Sequence, residues 1–141
     1  MIRFMPAVIV FALVFFCGEA CAGMSVNIGG KVHTAGTEDN VTAREIAGHL
    51  PLKLEMKRYA GHEYFAELPF RPEFSTERTS HIKAGHIYYW DGWNAFVINY
   101  EDCDISPYKV VHVGTFTEPE EVCGLLRGAD ENITVSVGIS E

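Results

Sequence analysis

Positive charge is scarce in this sequence: 11 Lys and Arg stand against 19 Asp and Glu in 141 residues, a formal charge of -8. A stripe of basic residues that could neutralise successive phosphates is missing, and an acidic chain repels nucleic acid and anionic lipid at long range. Nucleic-acid binding is excluded on that ground. Long apolar runs are lacking as well. The one candidate, AVIVFALVFF from Ala7 to Phe16, falls well short of the roughly 20 residues that span a bilayer. Nothing resembles the GxSxG elbow of a hydrolase. The histidines lack ligand spacing: His81 and His86 are an odd number apart and point to opposite faces of a continuous strand, and His33, His49, His62 and His112 have no paired neighbour. No metal and no cofactor is expected. Paired carboxylates occur only as EDCD and EPEE, which read as exposed runs.

The composition that remains, 48% hydrophobic with 12% aromatic and 21% charged, suits one globular domain without repeats or low-complexity stretches. Arg3, the apolar run and CGEACAG, with Ala20 and Ala22 at the small-residue positions, form a secretory signal over 1–22. Cys17 and Cys21 fit a lipid-attachment pattern poorly, because that pattern wants a Leu-like residue three before the cysteine with small residues next to it, whereas Cys17 follows Phe15 and Phe16 and Cys21 follows Gly18 and Glu19. The expected organisation is therefore a leader at 1–22 and a domain at 23–141, periplasmic or secreted, with no membrane association after cleavage. Cys103 and Cys123 remain in the domain, and an even pair in an oxidising compartment favours a disulfide between them.

Along the domain, Gly29-Gly30 joins two short β segments into an opening hairpin. Asp39 or Asn40 caps a helix that carries an apolar stripe from Val41 to Leu50, Thr42 and Glu45 have capping-box spacing, and Pro51 ends it. From Leu52 the period becomes two, giving a half-buried strand, followed by HEYFAEL at 62–68 and an irregular loop at 69–80. HIYYW (86–90) and WNAFVINY (93–100) form a hairpin on Asp91-Gly92, which brings Trp90 and Trp93 across the turn from each other. The second strand is apolar on both faces, so something must cover its outer side. A strand at 108–114, a helix at about 118–127 with Thr117 and Glu120 at capping-box spacing, and an alternating strand from Ile133 to Ile139 complete the chain. Eight or so short strands with two amphipathic helices favour a mainly β, closed eight-stranded barrel capped by the helices.

The opening hairpin, DNVTAREIAGHLPLKLEM (39–56), GHEYFAELP (61–69), IKAGHIYYWDGWNAFVINY (82–100), YKVVHVG (108–114) and the terminal NITVSV together resemble the small bacterial cyclophilin-like domain family. The resemblance spans nearly all of the domain. It implies the cyclophilin-type fold, an eight-stranded barrel with a helix at each end, and little about activity. Two positions depart from the family pattern: His86 follows Ala-Gly where an aspartate is expected, and Asn99-Tyr100 stands where an aromatic pair is expected.

Prolyl isomerases of the same barrel use an arginine beside an apolar pocket, and Arg58, Arg71 and Arg78 are the candidates here, with Phe65, Phe70, Phe74 and Phe96 as walls. None lies in a recognisable isomerase motif. The alternative is an aromatic groove built from Tyr64, Phe70, Tyr88, Phe96, Tyr100, Tyr108 and His112, in which tyrosines supply apolar walls with polar tips. The sequence therefore points to a non-catalytic module that binds a small molecule or an extended peptide, with a peptidyl-prolyl isomerase as the other reading. The exported protein is expected to begin at Gly23 without lipid. N-terminal sequencing with intact mass checks this, and an acylated start at Cys17 or Cys21 contradicts it.

Overall fold

The structure, a computed structural model, describes residues 23–140. The leader at 1–22, with Cys17 and Cys21, lies outside the described residues. Ten strands are present: β1 (Gly23–Ile28), β2 (Lys31–Thr37), β3 (Leu52–Tyr59), β4 (Glu63–Glu67), β5 (His81–Ile82), β6 (His86–Trp90), β7 (Ala95–Asn99), β8 (Cys103–Asp104), β9 (Val111–Phe116) and β10 (Asn132–Ser140). Two helices, α1 (Val41–Gly48) and α2 (Pro119–Arg127), join them. Eight strands close into an antiparallel barrel in the order β1-β10-β3-β4-β7-β6-β9-β2, and β5 pairs with β8 in a separate ribbon. The closed barrel is the one the alternating pattern predicts.

Alternation sorts each strand between two environments. Tyr64, Met56, Ile87, Tyr89, Phe96, Ile98 and Val135 point inward and, with Ile46 of α1 and Val122 and Leu126 of α2, make the main core. The outer faces of β3 and β10 are polar. Strand β7 differs, since all five of its residues are buried. Its outward residues Ala95 and Val97 form a second cluster with Tyr88, Ile82 and Val110, flanked by Phe65, Trp90, Cys103 and Ile105. The cover that a doubly apolar strand demands is thus the β5–β8 ribbon and the chain that leads from it into β9.

Three local expectations change. Thr42 and Glu45 do not form a capping box. Asn40 caps α1, its side chain accepting from Ala43 N. The Thr42 hydroxyl donates to Glu73 O at 2.6 Å and accepts from Ser75 N at 2.9 Å, while Glu45 accepts from Glu73 N, so both side chains fasten the 69–80 loop to the helix. Thr117 likewise leaves α2 uncapped and donates to Thr34 O. Asp91-Gly92 sits in a 3-10 turn (Asp91–Trp93) closed by Asn94 at φ 49°, and Trp90 pairs with Ala95. The left-handed residue supplies the bend that the Asp-Gly pair was expected to make.

The predicted disulfide is also absent: Cys103 and Cys123 are free thiols. Cys123 faces the main core from α2, whereas Cys103 belongs to the outer cluster on β8, so the two lie in separate apolar clusters.

Thr42 is completely buried. Thr42→Val keeps its shape but strands a backbone carbonyl and a backbone N–H, and should cost about 2 kcal/mol in denaturant unfolding. An unchanged midpoint contradicts the role given to the hydroxyl.

Candidate functional site

The second cluster does not fill the space that it covers. A cavity of about 620 Å³ opens on the outer face of the barrel, floored by β4, β7 and β6 and walled by the ribbon and the chain up to Val110. Its size falls in the range of small-molecule sites.

One side of it is aromatic. Tyr59 lies 5.2 Å from Trp93 between ring centroids, Trp93 lies 4.6 Å from Trp90, and Trp90 lies 5.9 Å from Tyr108, all edge to face. Such contacts hold the rings without stacking them flat, which leaves ring surface available to an occupant. Tyr59, Trp93 and Tyr108 are 46%, 44% and 61% exposed and are among the most exposed large apolar side chains described. Their clustering at one mouth, rather than singly over the surface, is the feature associated with binding sites.

The other side is polar. Outward alternation along β7 puts Asn99 after Val97, and along β4 it puts Glu63 before Phe65; both line the cavity with His62. Asn99 is completely buried, and neither Nδ2 nor Oδ1 has a hydrogen-bond partner among the described residues. A buried amide left unpaired costs about 1–3 kcal/mol per group, so an arrangement of this kind calls for an external partner. His62 Nδ1 is also unpartnered by hydrogen bonding and stands 3.6 Å from Glu63 Oε1. Burial lowers the His62 pKa, opposed by a polar interaction with the Asn99 side chain, which approaches the ring without meeting hydrogen-bond geometry. Burial pushes the Glu63 carboxyl up to about 7. Asp104 is held below its ordinary value by the hydroxyl and backbone N–H of Ser106.

Of the residues expected in an aromatic groove, Tyr88 and Tyr108 line this cavity. Tyr64, Phe96 and Tyr100 point into the main core, and Phe70 packs against that core with its ring stacked 3.8 Å from His49. His112 stands next to the cavity on β9, stacked on His86 at 4.4 Å, its Nε2 within hydrogen-bond distance of Gly114 O and Thr115 Oγ1. No arginine lines the cavity. Arg58 is spent on structure: it donates to the Tyr64 hydroxyl at 2.7 Å and to the carbonyls of Leu126 and Ala129, where α2 ends. Arg71 donates to Asp91 O, and Arg78 lies over the Phe74 ring. The sequence reading did not select Tyr59, His62, Glu63, Trp90, Trp93 or Asn99 as site residues.

Glu63 generates a pH prediction. Its folded pKa lies above its unfolded one, so the folded state keeps a proton that the unfolded state has lost, and the stability this gives declines as pH rises toward 7. Glu63→Gln removes the cost of a buried charge. It should stabilise the domain by about 2 kcal/mol at about pH 8 and by little near pH 5, as read from paired denaturation curves. His33 and His86, with lowered pKa values, act in the opposite direction as pH falls below their unfolded value, and the paired comparison cancels them. His62, 3.6 Å from Glu63, titrates with it, so the comparison is repeated in a His62→Gln background. Equal gains at both pH values contradict the assignment.

The sequence model of the Cyclophilin-like family matches residues 26–138. Comparison with curated proteins gives no match. Among solved structures, the solution structure of the hypothetical protein AF2241 from Archaeoglobus fulgidus is similar at 18% identity with a TM-score of 0.67, over 87% of this chain and 99% of that one. The structure of McbB in complex with tryptophan is similar at 11% identity with a TM-score of 0.60, over 82% of this chain and 44% of that one. At these identities the likeness is one of fold.

Proposed function

This chain belongs to the Cyclophilin-like family, a barrel that prescribes no single chemistry, and we propose that it is a binding module whose occupant is a small molecule with a flat apolar body and a polar head. The observation that carries this reading is Asn99: a fully buried amide, neither polar atom of which makes a hydrogen bond, in the lining of an aromatic cavity. An extended peptide would need a sheet edge or a long groove, whereas the barrel is closed and the cavity is bounded by the ribbon. The isomerase reading has no support from the cavity, since Arg58, Arg71 and Arg78 all lie off it. Export through the leader at 1–22 and action in the periplasm or outside the cell belong to the same proposal, and rest on the sequence alone.

That McbB, which shares the fold, is described with tryptophan fits an occupant of this size, but the lining residues of this chain carry the reading.

Both tryptophans of the chain, Trp90 and Trp93, line the cavity, so their emission reports on any occupant. Titration with 2-phenylethanol, excited where only tryptophan absorbs, should give a saturable change in the millimolar range. Val97→Phe, which places a larger side chain on the cavity floor, should weaken it at least about fivefold, the loss that goes with about 1 kcal/mol. No saturable change, or one indifferent to Val97→Phe, contradicts the proposal.

A further inference from the structure

The charge inside the cavity narrows the class of occupant. Glu63 and Asp104 are its charged lining residues, and no Lys or Arg lines it. Asp104 is more than half exposed and already accepts from Ser106 N and Oγ. Glu63 is different: its side chain is 16% exposed, and its near ionisable neighbour is His62 at 3.6 Å, whose charged form burial disfavours. A buried carboxyl with no cation beside it either holds its proton or takes a cation from outside.

Each kind of ligand head meets a different fate here. A carboxylate or phosphate head meets Glu63 and finds no counter-charge. A neutral head leaves Glu63 as the acid. An ammonium pairs with Glu63 and donates to Asn99 Oδ1, while its apolar body is left to the aromatic side.

We infer that the cavity takes a protonated amine on an aromatic or similarly flat apolar body, with the ammonium between Glu63 and Asn99 and the body against Tyr59, Trp93, Trp90 and Tyr108. This rests on the cavity being the binding site. Burial holds the Glu63 carboxyl near neutrality, and an ammonium draws it to the carboxylate form, so amine binding below about pH 7 releases a proton. The other titratable groups that line the cavity with Glu63 are His62 beside it, Cys103 and Asp104 from β8, Tyr88 from β6, Tyr59 at the end of β3, and Tyr108. Of these His62 gains charge on acidification, and that charge also repels an ammonium. Both effects weaken amine binding as pH falls.

The test compares phenethylamine, 2-phenylethanol and 3-phenylpropionate, which share a ring and differ in head charge, on the full mature domain by the tryptophan titration. Phenethylamine should bind at least about tenfold more tightly than 2-phenylethanol at about pH 8, with 3-phenylpropionate weakest. The preference for the amine should shrink severalfold by about pH 5.5, although the amine itself stays charged throughout. Glu63→Gln should collapse it to about onefold at both pH values, because charge is removed with shape retained. If 2-phenylethanol binds and phenethylamine binds no better, the inference on charge is overturned and the cavity reading stands. An amine preference that survives Glu63→Gln also overturns it. If none of the three binds saturably, both fall.

Discussion

Strand β7 must be buried on both faces, and most of what is distinctive in this molecule follows from that. Its inward residues Phe96 and Ile98 belong to the barrel core, while its outward residues Ala95 and Val97 would expose apolar surface in the middle of the wall. A closed barrel has no spare strand to cover them. The chain answers with material outside the barrel: the β5–β8 ribbon, joined through Ile82, Cys103 and Ile105, and the bridge of Thr79 to Val110. Covering a curved wall with a two-stranded ribbon leaves space between the two, and the space lies over the strand that ends in Asn99.

Within that space polar groups are treated unlike Arg58 and Asn94, although His33 Nε2 and the Tyr100 hydroxyl are also buried without a hydrogen bond outside it. On the other side of the wall, the half-buried Arg58 guanidinium gives hydrogen bonds to the Tyr64 hydroxyl and the carbonyls where α2 ends, so this cation is used in closing the barrel. Asn94 is similarly spent, linking Tyr89 to the carbonyls of Leu68 and Phe70. Asn99 and Glu63 have no such duties. An unpaired buried amide and a largely buried carboxyl both lower stability, so keeping them side by side in one cavity is a local conflict of the kind that marks functional sites.

The barrel was readable in the sequence because its information is local: period-two runs in β3 and β10, Gly29-Gly30 and the Asn40 cap each fix an element by its own chemistry. The apolar character of 95–99 on both faces also announced a covered outer wall. The site was less legible because it depends on which face each strand turns outward. Grouping tyrosines by alternation works within a strand, but parity restarts at every turn, and on β9 the register with β6 jumps from Gly114 to His112. Tyr64 and Tyr100 therefore face the core, while Tyr88 faces out. Tyr59 and Trp93 sit at a strand end and in a turn, where alternation has no say. Asn99 was visible as a departure from the family's pattern, yet only its register beside Glu63 gives that departure meaning. The cysteines were misjudged for a related reason, since an even count says nothing about which cluster each thiol joins.

The central claim is that the outer face, not the barrel interior or its ends, receives the ligand. Backbone amide mapping by NMR during a phenethylamine titration tests it most directly. The account predicts that the shifted amides concentrate in 59–63, 88–99 and 103–110, with α1 and the β1–β10 wall unmoved. Shifts centred on α1, on the open surface between β1 and β10, or spread evenly over the barrel would contradict it.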